Sequence, residues 1–184
     1  MIVYAFFLLA VFFCNSVLLS QLLLQPNDTA FNYKFDVPHN TYHRYCKNIY
    51  SQNGEDGILE QLIKELGITA GTFCEFGASD GITSSNTYNL MQKYNFSGIA
   101  IELDKARYER CVANYRSFPN VTVYNGAVMY NDPTNDLNVW LKKGGLPYDF
   151  DLLSIDIDYD DYYVWQGLTE FMPKIVVFET NSIS

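Results

Sequence analysis

Apolar residues fall along this chain into short continuous runs, separated by stretches in which they recur every three or four positions. Ile58, Leu59, Leu62, Ile63 and Leu66 lie at helical spacing and Gly67 offers a stop, which predicts an amphipathic helix over 55–66. A β run follows at Thr72-Phe73-Cys74-Glu75-Phe76 and breaks at once on Gly77-Ala78-Ser79-Asp80-Gly81. The alternation then repeats. Helices over 85–94, 105–117, 137–142 and 161–171 lead in turn to strands over 98–102, 121–124, 152–157 and 175–179. Strands alternating with helices of about ten residues predict βαβ units and a mostly parallel α/β sheet. Parallel strands are buried on both faces, which explains why the runs are continuously apolar.

Two segments precede this domain. Residues 25–50 carry Pro26 and Pro38 and no sustained period, and read as a connector, so the domain occupies 51–184. Residues 1–24 contain no charge and are long enough to cross a bilayer, which predicts an N-terminal hydrophobic helix, either a signal-anchor or a signal peptide. Sequons at Asn27, Asn95 and Asn120 agree with a lumenal domain on a single-pass secretory-pathway membrane protein, or with a secreted one after cleavage.

Composition narrows the partners. The formal charge is -9, and every charged residue lies at or beyond Asp28. Such an acidic domain argues against a nucleic-acid partner, because nothing neutralises phosphates. Cys46, Cys74 and Cys111 show no C-x-x-C spacing and permit one disulfide at most, and Cys74 and Cys111 read as small buried apolar residues.

The candidate chemistry lies at the strand ends. Glu75, Glu102, Asp156 and Glu179 close four of the five predicted strands, and ligands of open parallel sheets bind outside those ends. A desolvated carboxylate is costly unless paired or hydrogen-bonded, so four on one edge suggest a shared polar ligand. The loop after the first strand has G-x-x-x-G rather than the dinucleotide G-x-G-x-x-G, and Glu75 would repel a pyrophosphate. A ligand with an ammonium group suits it better, and S-adenosylmethionine brings an amino acid end, a ribose and a cationic sulfonium. Glu102 is placed for ribose hydroxyls, and Asn125, just past the third strand, for the adenine.

The stretches SQNGEDGILEQLI, FCEFGASDGITSSNT, GIAIELD, DLLSIDIDYDDYYVWQGL and IVVFETN resemble the FkbM-type family of S-adenosylmethionine-dependent methyltransferases, over about 51–181. The resemblance implies a Rossmann-like methyltransferase sandwich and O-methylation of a hydroxyl on a sugar or small metabolite, hence a small-molecule or glycan acceptor. By matching position, Glu75, Gly77 and Gly81 would line the cofactor's amino acid end, with Ser79 in the same cofactor-binding loop, and Glu102 its ribose. Asp156 would lie near the transferred methyl, and with Asp158 would act as general base or metal ligand for the acceptor. Relatives read DIDG where this chain has Tyr159, and their sheets continue beyond the fifth strand, so the resemblance is to a short or truncated member lacking the last strands, active or inactive.

Two other classes stay open. Asp156-Ile157-Asp158 is a D-x-D motif, which a metal-dependent glycosyltransferase uses to hold a divalent cation on a nucleotide sugar. A non-catalytic lumenal binding domain on the same fold is the other. A calcium loop is excluded, because Asp161 stands where glycine is required and Gly167 where the bidentate Glu should be.

Overall fold

The structure, a computed structural model, describes residues 42–157, 161 and 163–177 with their side chains, and the backbone alone at 6–13, 16–23, 162 and 178–180. The uncharged N-terminal run departs from its predicted helix. Its described backbone is a hairpin of β1 (Phe6–Phe13) and antiparallel β2 (Ser16–Leu23). Apolarity and length identify a segment that avoids water without fixing its conformation, and a Phe-rich run such as Phe6–Phe13 pairs readily as a strand. No helix among the described residues is long and apolar enough to cross a membrane.

From residue 42 onward the predicted alternation is realised. Helix α1 (Glu55–Glu65) buries Ile58, Leu59, Leu62 and Ile63 completely, while Glu55 and Asp56 occupy its first turn, where the helix dipole favours negative charge. One Asp56 oxygen accepts from the backbone N–H groups of Ile49, Tyr50 and Ser51, which ties the entering chain to the helix start. There follow β3 (Thr72–Phe76), α2 (Tyr88–Tyr94), β4 (Ser97–Glu102), α3 (Lys105–Asn114), β5 (Val121–Asn125), α4 (Leu137–Lys143), β6 (Leu152–Ile155), α5 (Asp161–Gln166) and β7 (Ile175–Thr180).

β3 to β7 are parallel throughout, and β1 adds in parallel to the outer edge of β7. The full order is β2-β1-β7-β6-β3-β4-β5. The first of the parallel strands therefore lies in the middle, and the chain fills one side before crossing to the other, as in Rossmann-like sheets. The crossover places the switch point between β3 and β6.

Alternation along each strand feeds two cores. Phe73, Ala100, Leu152 and Val177 point to the face covered by α1, α2 and α3. Cys74, Phe76, Ile99, Ile101, Leu153, Ile155 and Val176 point to the face covered by α4 and α5. Cys74 and Cys111 are buried and unbridged, and burial pushes the Cys111 thiol up to about 12. Of the sequons, Asn95 and Asn120 are exposed and Asn27 lies outside the described residues.

At the opposite edge of the sheet from the candidate residues, Asp151 joins three strands at their starts. Its Oδ2 accepts from the Thr72 N–H at 2.7 Å, and its Oδ1 pairs with Lys174 Nζ at 2.6 Å, just before β7. Asp151→Ala strands the Thr72 N–H and is expected to cost about 1–3 kcal/mol. A thermal melt checks this, since each kcal/mol shifts a domain of this size by about 2–4 °C; an unchanged midpoint would contradict the clamp.

Candidate functional site

Register places Glu75 in a row with Ala100 on β4 and Ser154 on β6, all on the α1–α3 face. Both neighbours are small, which leaves room above the sheet for the carboxylate. Glu75 is almost wholly buried, and the segment before α2 turns inward to satisfy it. Its Oε1 accepts from the Asn86 N–H at 2.8 Å and from Ser85 Oγ, and its Oε2 from Thr87 Oγ1 at 2.6 Å and again from Ser85 Oγ. Two contacts per oxygen use the acceptor capacity of a carboxylate. Asn86 also donates its side-chain N–H to Ser154 Oγ at 3.0 Å, bridging from the loop to β6. Burial pushes the Glu75 carboxyl above its ordinary value, against the hydrogen bonds from Thr87, Asn86 and Ser85, which favour the charged form.

The Gly77–Gly81 loop turns above the same strand end. Gly77 has φ +70°, and a Cβ there would lie 1.7 Å from the Asp156 carbonyl oxygen, so only glycine lets β3 and the end of β6 approach this closely. Gly81 has φ +83° and packs instead on Tyr115 and Cys111, away from the cleft. Ser79 takes a left-handed conformation (φ 50°), and its N–H donates to Glu102 Oε2 at 2.7 Å. The Gly77 and Ala78 N–H groups go to the Ile101 carbonyl, and the Gly81 N–H to that of Ala78. The donors that would cradle a pyrophosphate are thus spent inside the protein.

Two cavities open at this edge and share Phe76, Gly77 and Glu102 in their walls. One, of about 250 Å³, is polar, bounded by Glu75, the 77–79 and 83–86 segments, Glu102, Arg107 and Asp156. The other, of about 190 Å³, is mostly apolar, bounded by Ile101, Leu103, Gly126, Ala127, Val128 and Ile157. Glu102 stands between them, almost fully buried, its second oxygen accepting from the Asp104 N–H at 2.7 Å. Together the cavities fall within the roughly 300–1,000 Å³ range of small-molecule sites.

Of the residues singled out from sequence, Glu75, Gly77, Ser79, Glu102 and Asp156 meet at the cleft. Gly81 and Asn125 line neither cavity. Asn125 donates its side-chain N–H to the carbonyls of Glu102 and Leu103, holding the end of β4, while the residues after it form the apolar wall. Asp158, Tyr159 and Asp160 lie outside the described residues, and only the backbone of Glu179 is described. Among the described residues no group of three His, Cys, Asp or Glu is arranged to hold a metal ion. Sequence reasoning missed Ser85, Asn86 and Thr87, Ser154, Arg107 and the 126–128 wall. The run Ser84-Ser85-Asn86-Thr87 was the available signal, since four hydroxyl or amide side chains ahead of a helix compete for caps and buried acceptors.

The strand order defines a Rossmann-like α/β domain with a cleft at its switch point. The chain matches no protein-family model and no curated protein. Solved structures similar to it include a candidate S-adenosyl-L-methionine-dependent methyltransferase from Methanococcus maripaludis, at 20% identity over 65% of this chain and 53% of that one (TM-score 0.44). Others are a SAM-dependent methyltransferase from Aquifex aeolicus, 14% identical over 62% and 57% (TM-score 0.42), and an S-adenosylmethionine-dependent methyltransferase from Clostridium acetobutylicum, 14% identical over 74% and 49% (TM-score 0.43). The chain spans about half the length of these proteins.

Glu75 carries a pH signature. A carboxyl whose pKa is raised by folding keeps its proton longer in the folded state, so its contribution is fully present below the unfolded pKa and is lost as pH rises through the folded one. Glu75→Gln removes that titration while keeping the side chain's size. Denaturant titrations across pH are expected to show a flatter fall in stability above the ordinary value of 4.5 for the variant than for the wild type. Parallel curves would refute the assignment.

Proposed function

We propose that the chain is an S-adenosylmethionine-dependent O-methyltransferase of the FkbM type, acting on a hydroxyl of a sugar or small metabolite. The observation that carries the reading is the pair of adjacent cavities at the switch point, one polar and one mostly apolar, with the buried Glu102 in the wall of both. The polar side suits an amino acid end, Glu102 suits ribose hydroxyls, and the apolar wall of Leu103, Ala127, Val128 and Ile157 suits a flat base. A dinucleotide fits poorly, because the loop N–H groups are already used.

Bound there, S-adenosylmethionine supplies an electrophilic methyl on a sulfonium, which a hydroxyl oxygen takes as the sulfur–carbon bond breaks. The chain's part is alignment, which can supply much of the barrier reduction. Glu102 orients the ribose, the Gly77 turn sets the depth of the cleft, and Asp156 at its wall accepts the proton that the acceptor hydroxyl releases.

Titrating the whole chain with S-adenosylmethionine by calorimetry is expected to show saturable binding. Glu102→Ala should weaken it about 10- to 100-fold, the loss of hydrogen bonds to a charged acceptor being worth about 1.5–3 kcal/mol, while the fold persists in a melt. Absence of heat at millimolar cofactor would overturn the reading, as would manganese-dependent binding of a nucleotide sugar in its place.

A further inference from the structure

The polar cavity is unevenly charged. Glu75, Glu102 and Asp156 contribute three carboxylates to its wall, and among the described residues Arg107 is the one cation there. Arg107 lies in the first turn of α3, where its N–H donates to the Asp104 carboxylate at 2.8 Å, so its backbone is fixed by the helix cap. The side chain beyond is exposed and enters none of the salt bridges among the described residues. The nearby acids are otherwise engaged: Glu75 with the 85–87 segment, Glu102 with Ser79 and Asp104.

We infer that Arg107 is the anchor for the α-carboxylate of the ligand's amino acid end, and so sets the preference for a nucleoside that carries an intact amino acid. The inference rests on the S-adenosylmethionine reading above. That ligand carries two positive groups, the ammonium and the sulfonium, and one negative, the carboxylate, and the cavity mirrors them with an acidic wall and a single guanidinium. A guanidinium meets a carboxylate with two parallel N–H donors in one plane, a geometry that fixes orientation as well as charge. Thr83 and Ser84 line the same cavity and add to its polar wall.

The whole chain and its Arg107→Ala and Arg107→Lys variants should be titrated with S-adenosylmethionine and with its decarboxylated analogue, which lacks only the carboxylate. Arg107→Ala is expected to weaken S-adenosylmethionine about 10- to 100-fold, the range of a charge-assisted hydrogen bond, with Arg107→Lys falling between it and the wild type. The decarboxylated analogue should bind wild type and Arg107→Ala alike. Equal affinity of Arg107→Ala and wild type for S-adenosylmethionine overturns the inference, and so does an equal loss for both compounds. Failure of the wild type to bind S-adenosylmethionine overturns the cofactor reading itself and this inference with it, whereas the first two results leave that reading standing.

Discussion

The buried carboxyl group of Glu75 is the constraint around which the carboxyl edge of this domain is arranged. A carboxylate at the centre of a parallel sheet, away from water, costs several kcal/mol unless its lone pairs are met. Ser85, Asn86 and Thr87 meet them, and in doing so they fix where α2 begins and how the preceding loop lies over β3. Small side chains at Ala100 and Ser154 make the space, and the Asn86–Ser154 bond carries the arrangement across to β6. Strand, loop, helix start and cavity wall therefore follow from one acid at one register position.

Glu102 acts on the same loop from the other side. By accepting from Ser79 and Asp104 it joins the glycine loop to the start of α3, and it holds Ser79 in a left-handed conformation that a serine seldom adopts. Between them the two acids set the cleft before any ligand arrives, which lowers the ordering cost of binding. The same internal use of backbone donors makes the loop a poor phosphate cradle.

The βαβ alternation was legible because strands buried on both faces must be continuously apolar, while the helices between them need only one apolar stripe. What remained hidden depended on contacts distant in sequence. The helix expected from Ser85 starts three residues later, since Ser85, Asn86 and Thr87 are drawn to an acid ten or more positions back. Asn125, expected just past the third predicted strand, is the last residue of β5, and its side chain closes on β4 rather than on the cavity. The aspartates of 151–161 separate by the geometry of one strand: Asp151 clamps its start, Asp156 follows its end, and Asp161 accepts from the Ile157 N–H at the head of α5. The N-terminal run shows the limit of hydropathy, which reports avoidance of water and not the shape adopted.

The contact between Gly77 and the Asp156 carbonyl has a mechanical side. With no room there for even a methyl group, the tips of β3 and β6 form a seam without slack. The Asp156 N–H donates to the Phe76 carbonyl at 3.3 Å beside it, so parting β3 from β6 would break a hydrogen bond of the sheet. Phe76 and Gly77, on the β3 side of this seam, line both cavities, so any change that shifts the seam alters the polar and the apolar half of the site together.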